Sequence, residues 1–169
     1  PKDFTELCMQ AAEIMLMQGK VAENKEEARK MLEEVVASGK AFETFKDMVK
    51  AQGGNVDMIE NPELLPQSKF KTEIKSEESG NVKVLHSERL GVLAMQLGAG
   101  RETKEQDVNH AVGLELACKR GDKVNKGDTI CIVYHDEELK PQWVDELYHA
   151  FELTNEEVAP QPIIEKVLS

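Results

Sequence analysis

Few side chains in this sequence are of a type and spacing that could do chemistry. There are four histidines, His86, His110, His135 and His149, and three cysteines, Cys8, Cys118 and Cys131. The histidines are scattered without ligand spacing, so each reads as a surface or turn residue and no metal site is expected. No C-x-x-C occurs, which leaves out a zinc knuckle and a thioredoxin-like motif. Cys118 and Cys131 are equidistant from the centre of Gly121–Asp128. They read as two small apolar side chains in a reducing cytosol, placed to face each other across strands. No G-x-S-x-G, H-E-x-x-H, G-x-G-x-x-G or P-loop is present. Gly98-Ala99-Gly100-Arg101, with Lys104 beyond it, has the makings of a backbone nest for an anion. The competing reading is a glycine C-cap leading into an exposed loop. The second is favoured, because anions prefer a helix N-terminus and this is a C-terminus.

The elements that would hold these residues follow from periodicity. Asp3 to Gln18 reads as a helix with a capping box at Asp3 and Glu6 and a stop at Gly19. Phe4, Leu7, Cys8, Ala11, Ile14 and Met15 form one apolar face and Met9, Ala12, Leu16 and Met17 a second. A helix apolar on both sides normally lies inside a larger body. Asn24 to Ala37 is a second helix, capped by Asn24 with Glu27, with Ala28, Met31, Leu32 and Val35 inward. Lys40 to Gln52 is a third, with Phe42, Phe45, Met48 and Val49 inward and Gly53-Gly54 as its end. Two prolines mark 61–68 as a linker. The period then changes to alternation: Phe70, Thr72 and Ile74 line a strand, and Val82 and Val84 a second. Ser87 caps a helix striped by Leu90, Leu93, Ala94 and Leu97. Leu114, Leu116 and Cys118 alternate in a strand, and 129–134 is expected to be buried on both faces. Pro141 opens a last helix, with Trp143, Leu147 and Phe151 inward. The tail from Thr154 is expected to pack as an extended piece and a terminal turn.

The stretch Gly121-Asp122-Lys123-Val124-Asn125-Lys126-Gly127-Asp128 joins two apolar strands by two Gly-Asp turns around one apolar anchor. It reads as a double corner that folds a sheet over on itself. The expected class is α+β: a helical segment, 1–66, and a β-rich, barrel-sandwich-like domain, 67–169, with an inserted helix. The corner resembles the second half of the biotinyl and lipoyl carrier fold. The Met-Lys-Met or Asp-Lys-Ala tripeptide that bears the carriers' cofactor is missing, which argues against a swinging arm.

Composition narrows the partners. The net charge of −11 and the 40% apolar content describe an acidic chain able to build a core. Such a surface disfavours nucleic acid or an anionic membrane as the main partner, because phosphate contacts need clustered Lys and Arg. The longest apolar runs fall far short of a membrane span, and no basic-apolar leader is visible. A cytoplasmic setting is the expectation. The chain begins with Pro rather than Met, so the natural N-terminus is expected upstream.

One ordered series remains. Ala51-Gln52-Gly53-Gly54, Leu65-Pro66, Leu97-Gly98-Ala99-Gly100-Arg101, Ala111-Val112-Gly113 and Gly121-Asp122-Lys123-Val124 follow in the order found in the C-terminal part of pyrimidine-nucleoside and thymidine phosphorylases, and the chain resembles that family along essentially its whole length. The resemblance implies a parent pentosyltransferase that cleaves a pyrimidine nucleoside with phosphate, giving free base and pentose 1-phosphate. It implies that 67–169 is the family's C-terminal domain and that 1–66 belongs to the large phosphate-binding α/β domain. The family's Lys-x-Ser-x-Gly-Gly-type phosphate segment and its base-clamping Arg, Ser and Lys lie upstream of anything matched, so no catalytic or substrate-binding residue is assigned. The family also shuts its cleft with a loop near the C-terminus. By position that loop is His135, Asp136, Glu137 and Glu138 through Trp143; the competing reading is an ordinary connector. No cofactor is implied, phosphate being a co-substrate of the parent. The expected partner is the rest of the parent chain, and exposed apolar helix faces leave self-association open. A reading from another class is a free-standing acidic protein-interaction module, with the doubly apolar first helix as its binding surface. The reading frame upstream of Pro1 separates the two.

Overall fold

A computed structural model of the chain describes residues 1–101 and 103–167. It divides into two compact units, Pro1–Leu64 with the described tail from Pro162, and Leu65–Gln161.

The first unit is helical: α1 (Lys2–Gln18), α2 (Lys25–Ala37), α3 (Lys40–Ala51) and the short α4 (Asp57–Glu60), followed by a 3-10 turn at Pro62–Leu64. Asn24 caps α2 as expected, its side chain accepting from the Glu27 N–H at 2.9 Å. Gly39, at φ 77°, separates α2 from α3 in the left-handed conformation that favours glycine. The capping box expected at Asp3 and Glu6 does not form. Pro1 is the N-cap without a side-chain bond, and Glu6 is taken by a longer-range partner. Arg29 on α2 forks onto it, Nη1 to Oε2 at 2.9 Å and Nη2 to Oε1 at 2.7 Å. Arg29 Nε also donates to Glu13, which is only 4% exposed and is the buried residue of α1.

The inward stripe expected on α3 is a correction. Phe42, Phe45 and Met48 are all exposed, as are Val35 on α2 and Phe4 and Met15 on α1. Helical period identifies an apolar face without supplying the surface that covers it.

The second unit contains two three-stranded antiparallel sheets. One has the order β1 (Phe70–Lys75), β5 (Thr129–His135), β3 (Gly113–Leu116); the other has β4 (Lys123–Val124), β2 (Gly80–Leu85), β6 (Phe151–Thr154). Helix α5 (Ser87–Ala94) with a π turn at Met95–Ala99 is inserted between β2 and β3, and α6 (Pro141–His149) lies between β5 and β6. One hydrophobic cluster draws Ile74, Cys131 and Val133 from the first sheet and Val82 and Phe151 from the second. Leu90, Leu93, Trp143 and Leu147 join it from the two helices. Burying each large side chain contributes about 1.5–3 kcal/mol, so this cluster holds the unit together.

The double corner has a repeated hydrogen-bond pattern. Asp122 N–H donates to Lys119 O at 3.0 Å, and the Asp122 carboxylate accepts from Lys119 N–H at 2.7 Å. Asp128 treats Asn125 in the same way, at 3.0 and 2.8 Å. Gly121 N–H and Asp122 O embrace Val82, and Gly127 N–H and Asp128 O embrace Ser76, all at 2.8–2.9 Å. Both glycines sit at φ 92°. The two turns are offset by six residues, and so are the residues they hold.

Other expectations are corrected here. His86, not Ser87, is the N-cap of α5, and it makes no side-chain cap bond. Leu116 points to solvent on the edge strand β3. Ile132 and Tyr134 of β5 are half-buried, so this central strand is not buried on both faces throughout. Phe151 is buried but begins β6 rather than ending α6, because Ala150 closes the helix and the chain turns to pair with β2. His135 is neither a surface nor a turn residue. It ends β5 and is 7% exposed.

Candidate functional site

His135 shows how β5 hands over to the loop that follows. Its Nδ1 lies 2.6 Å from the Glu137 carbonyl oxygen. A carbonyl only accepts, so Nδ1 carries a proton. Nε2 meets the Thr72 hydroxyl at 2.8 Å across the β1–β5 ladder, and Phe70 stacks on the ring at 5.4 Å between centroids. The imidazole is thus held on both nitrogens and one face, which suits a structural pin better than a proton carrier.

Asp136, next in sequence, is half-buried and organises its surroundings. Its Oδ1 accepts from Lys69 N–H and its Oδ2 from the Asn109 side-chain amide, each at 2.7 Å. These bonds hold its carboxyl below the ordinary carboxylate range, the Lys69 N–H having the largest effect. Glu137 and Glu138 are exposed. Lys140 places its ammonium 4.5 Å above the Trp143 ring, while Trp143 itself is buried in the core cluster.

Gly98 lies in the π turn at φ 106°, and its carbonyl accepts from Asn109 N–H at 2.8 Å. Gly100 is extended, at φ −139°. Both glycines, with Met95 and Asp107, line an open pocket of about 510 Å³ that Lys140 and Trp143 also line. The structure therefore brings Gly98, Gly100 and Trp143 to one cavity. Arg101 and Lys104, expected alongside the glycines, are exposed and do not line it. Among the described residues its lining offers amides, one carboxylate and one ammonium, which can hold a polar group. Among the described residues no group of His, Cys, Asp or Glu is arranged to hold a metal ion.

Of the residues that join these pieces, Thr72 is expected from sequence only as a strand-lining residue, and Asn109 carries no expectation. Asn109 carries one local signal: its side chain accepts from Ala111 N–H at 3.0 Å, the Asx turn that asparagine favours. Cys118 and Cys131 are buried free thiols, as expected. Burial pushes their thiols up to about 11 and about 12, respectively, so both stay protonated and inert. No described helix is long and apolar enough to cross a membrane.

These features define the class: an α+β chain, helical first, then a domain of small antiparallel sheets. Along its whole length the chain is similar to pyrimidine-nucleoside phosphorylases, and its second unit to their C-terminal domain. Residues 81–154 match the family described as Pyrimidine nucleoside phosphorylase C-terminal domain. The chain is 38% identical over 163 residues to a pyrimidine-nucleoside phosphorylase of Bacillus subtilis (strain 168), which covers 96% of this chain and 38% of that protein. It is 39% identical over all 169 residues to the one of Staphylococcus aureus (strain USA300), covering 39% of that protein. The Geobacillus stearothermophilus protein of the same name is 38% identical over 168 residues, 99% of this chain and 39% of its own length. The chain thus spans about two fifths of the length of the curated relatives it matches.

Proposed function

We propose that this chain acts as the C-terminal portion of a pyrimidine-nucleoside phosphorylase, an enzyme that splits a pyrimidine nucleoside with phosphate into free base and pentose 1-phosphate. In this reading the chain does no chemistry. It supplies a folded-over β module, two small sheets facing each other as a barrel sandwich, and the segment from His135 to Trp143 helps close the parent's cleft. The partner is the rest of the parent chain, the setting is cytoplasmic, and phosphate enters only as a co-substrate of the whole enzyme. The observation that carries the reading is the end-to-end match to relatives of which the chain spans only 38–39%.

The test has two arms. The purified chain, given thymidine or uridine with phosphate, is expected to release no base above the uncatalysed rate. The Bacillus subtilis relative, with its own matching portion replaced by this chain, is expected to release base. Release by the isolated chain, or a folded but inactive hybrid, overturns the proposal.

A further inference from the structure

Two walls of the pocket come from distant parts of the chain. Gly98 and Gly100 follow α5, whereas Lys140 and Trp143 follow β5. Asn109 makes three hydrogen bonds that reach three different partners. Its backbone N–H donates to Gly98 O at 2.8 Å, its side-chain oxygen accepts from Ala111 N–H at 3.0 Å, and its side-chain nitrogen donates to Asp136 Oδ2 at 2.7 Å. The other oxygen of Asp136 accepts from Lys69 N–H, at the entry to β1, also at 2.7 Å. The bonded pairs lie 27 and 67 residues apart in sequence, so each closes a long loop.

We infer that Asn109 is a positioning residue that clasps both walls of this pocket through Asp136, so that the segment after α5 and the segment after β5 move as one body. Charge and geometry both support the clasp. An ionised acceptor roughly doubles the strength of a hydrogen bond, and both partners are half-buried, where water competes less. A Cβ on Gly98 would stand 3.5 Å from the Cβ of Asn109, so the two backbones already approach closely. The clasp does not depend on which reaction the pocket borders.

The test reads single amides of the whole 169-residue chain by hydrogen exchange. Asn109→Ala should speed exchange at the Lys69 amide about tenfold, although Asn109 does not touch it. Asp136→Ala should do the same at the Asn109 amide, which Asp136 does not bond. The exchanged pair, Asn109→Asp with Asp136→Asn, can keep every bond: the new carboxylate accepts from Ala111 and from the new amide, which still accepts from Lys69. It should restore slow exchange at both reporters, a rescue that loss of general packing cannot mimic. Unchanged exchange at the distant reporter, an equal rise at Val133 in mid-β5, or failure of the exchanged pair each overturns the inference.

Discussion

At the scale of single residues, the buried charge on α1 has an assigned partner. Glu13 is sequestered on the helix and answered by Arg29, which also forks onto Glu6. Hydrogen bonding by Arg29, reinforced by Gln10, holds the Glu6 carboxyl down to about 2 from 4.5. A depressed acid contributes stability that is present above its unfolded value and is lost as the folded group is protonated. The pairing should therefore stabilise the helical unit above about pH 4.5 and fade as pH falls toward 2. Glu6→Gln should lower the melting temperature at pH 7, with the gap to the parent chain closing near pH 2. A gap that stays constant with pH would mean that shape, not charge, is what Glu6 provides. None of this was legible from sequence. Asp3 and Glu6 have capping-box spacing, but local spacing does not reveal a competitor 23 residues away. Asp136 was singled out by position along the chain, while its partner Asn109 was invisible for the same reason of distance.

At the scale of elements, the double corner was the most legible part of the chain. A Gly-Asp turn is specified locally. Glycine takes the left-handed angle, and the Asp carboxylate returns to the N–H three residues back. The two turns nevertheless have different surroundings. A Cβ on Gly121 would meet the backbone of Pro160 at 3.0 Å and Val158 O at 3.1 Å, whereas one on Gly127 would meet nothing within 4 Å. Gly127→Ala should cost about 1–2 kcal/mol for the left-handed backbone alone. Gly121→Ala should cost more, by roughly another 1–3 kcal/mol of overpacking against a backbone that cannot rotate away. Chemical unfolding of the two variants measures the difference; equal losses would mean the tail at 158–160 yields freely. Helix α6 was also legible, from its proline start and the Trp143–Leu147 spacing, but its end was not. Phe151 continues the apolar spacing of α6, and only pairing with β2 makes it a strand residue.

At the scale of the whole molecule, the two units differ in kind. The second has thirteen buried members in one cluster. The first buries Ala22, Ala28 and the paired Glu13, while leaving Phe42, Phe45 and Met48 of α3 at 46, 41 and 49% exposure. A helix with so strong a stripe and so little cover leaves an apolar face open. Within the proposed function that face is covered by the remaining three fifths of the parent chain, and the proposal makes α3 a joint between the two. Phe45→Asp and Met48→Asp are exposed changes in the isolated chain, so each should shift its stability by no more than about 0.5 kcal/mol. In the hybrid with the Bacillus subtilis relative the same changes would bury a carboxylate against an apolar face. Each should then cost at least about 2 kcal/mol of hybrid stability, because an unpaired charge cannot be desolvated cheaply. Thermal melting of chain and hybrid side by side reads the contrast. If both tolerate the aspartates equally, α3 faces water in the assembled enzyme as well, and the stripe that periodicity detects serves some other contact.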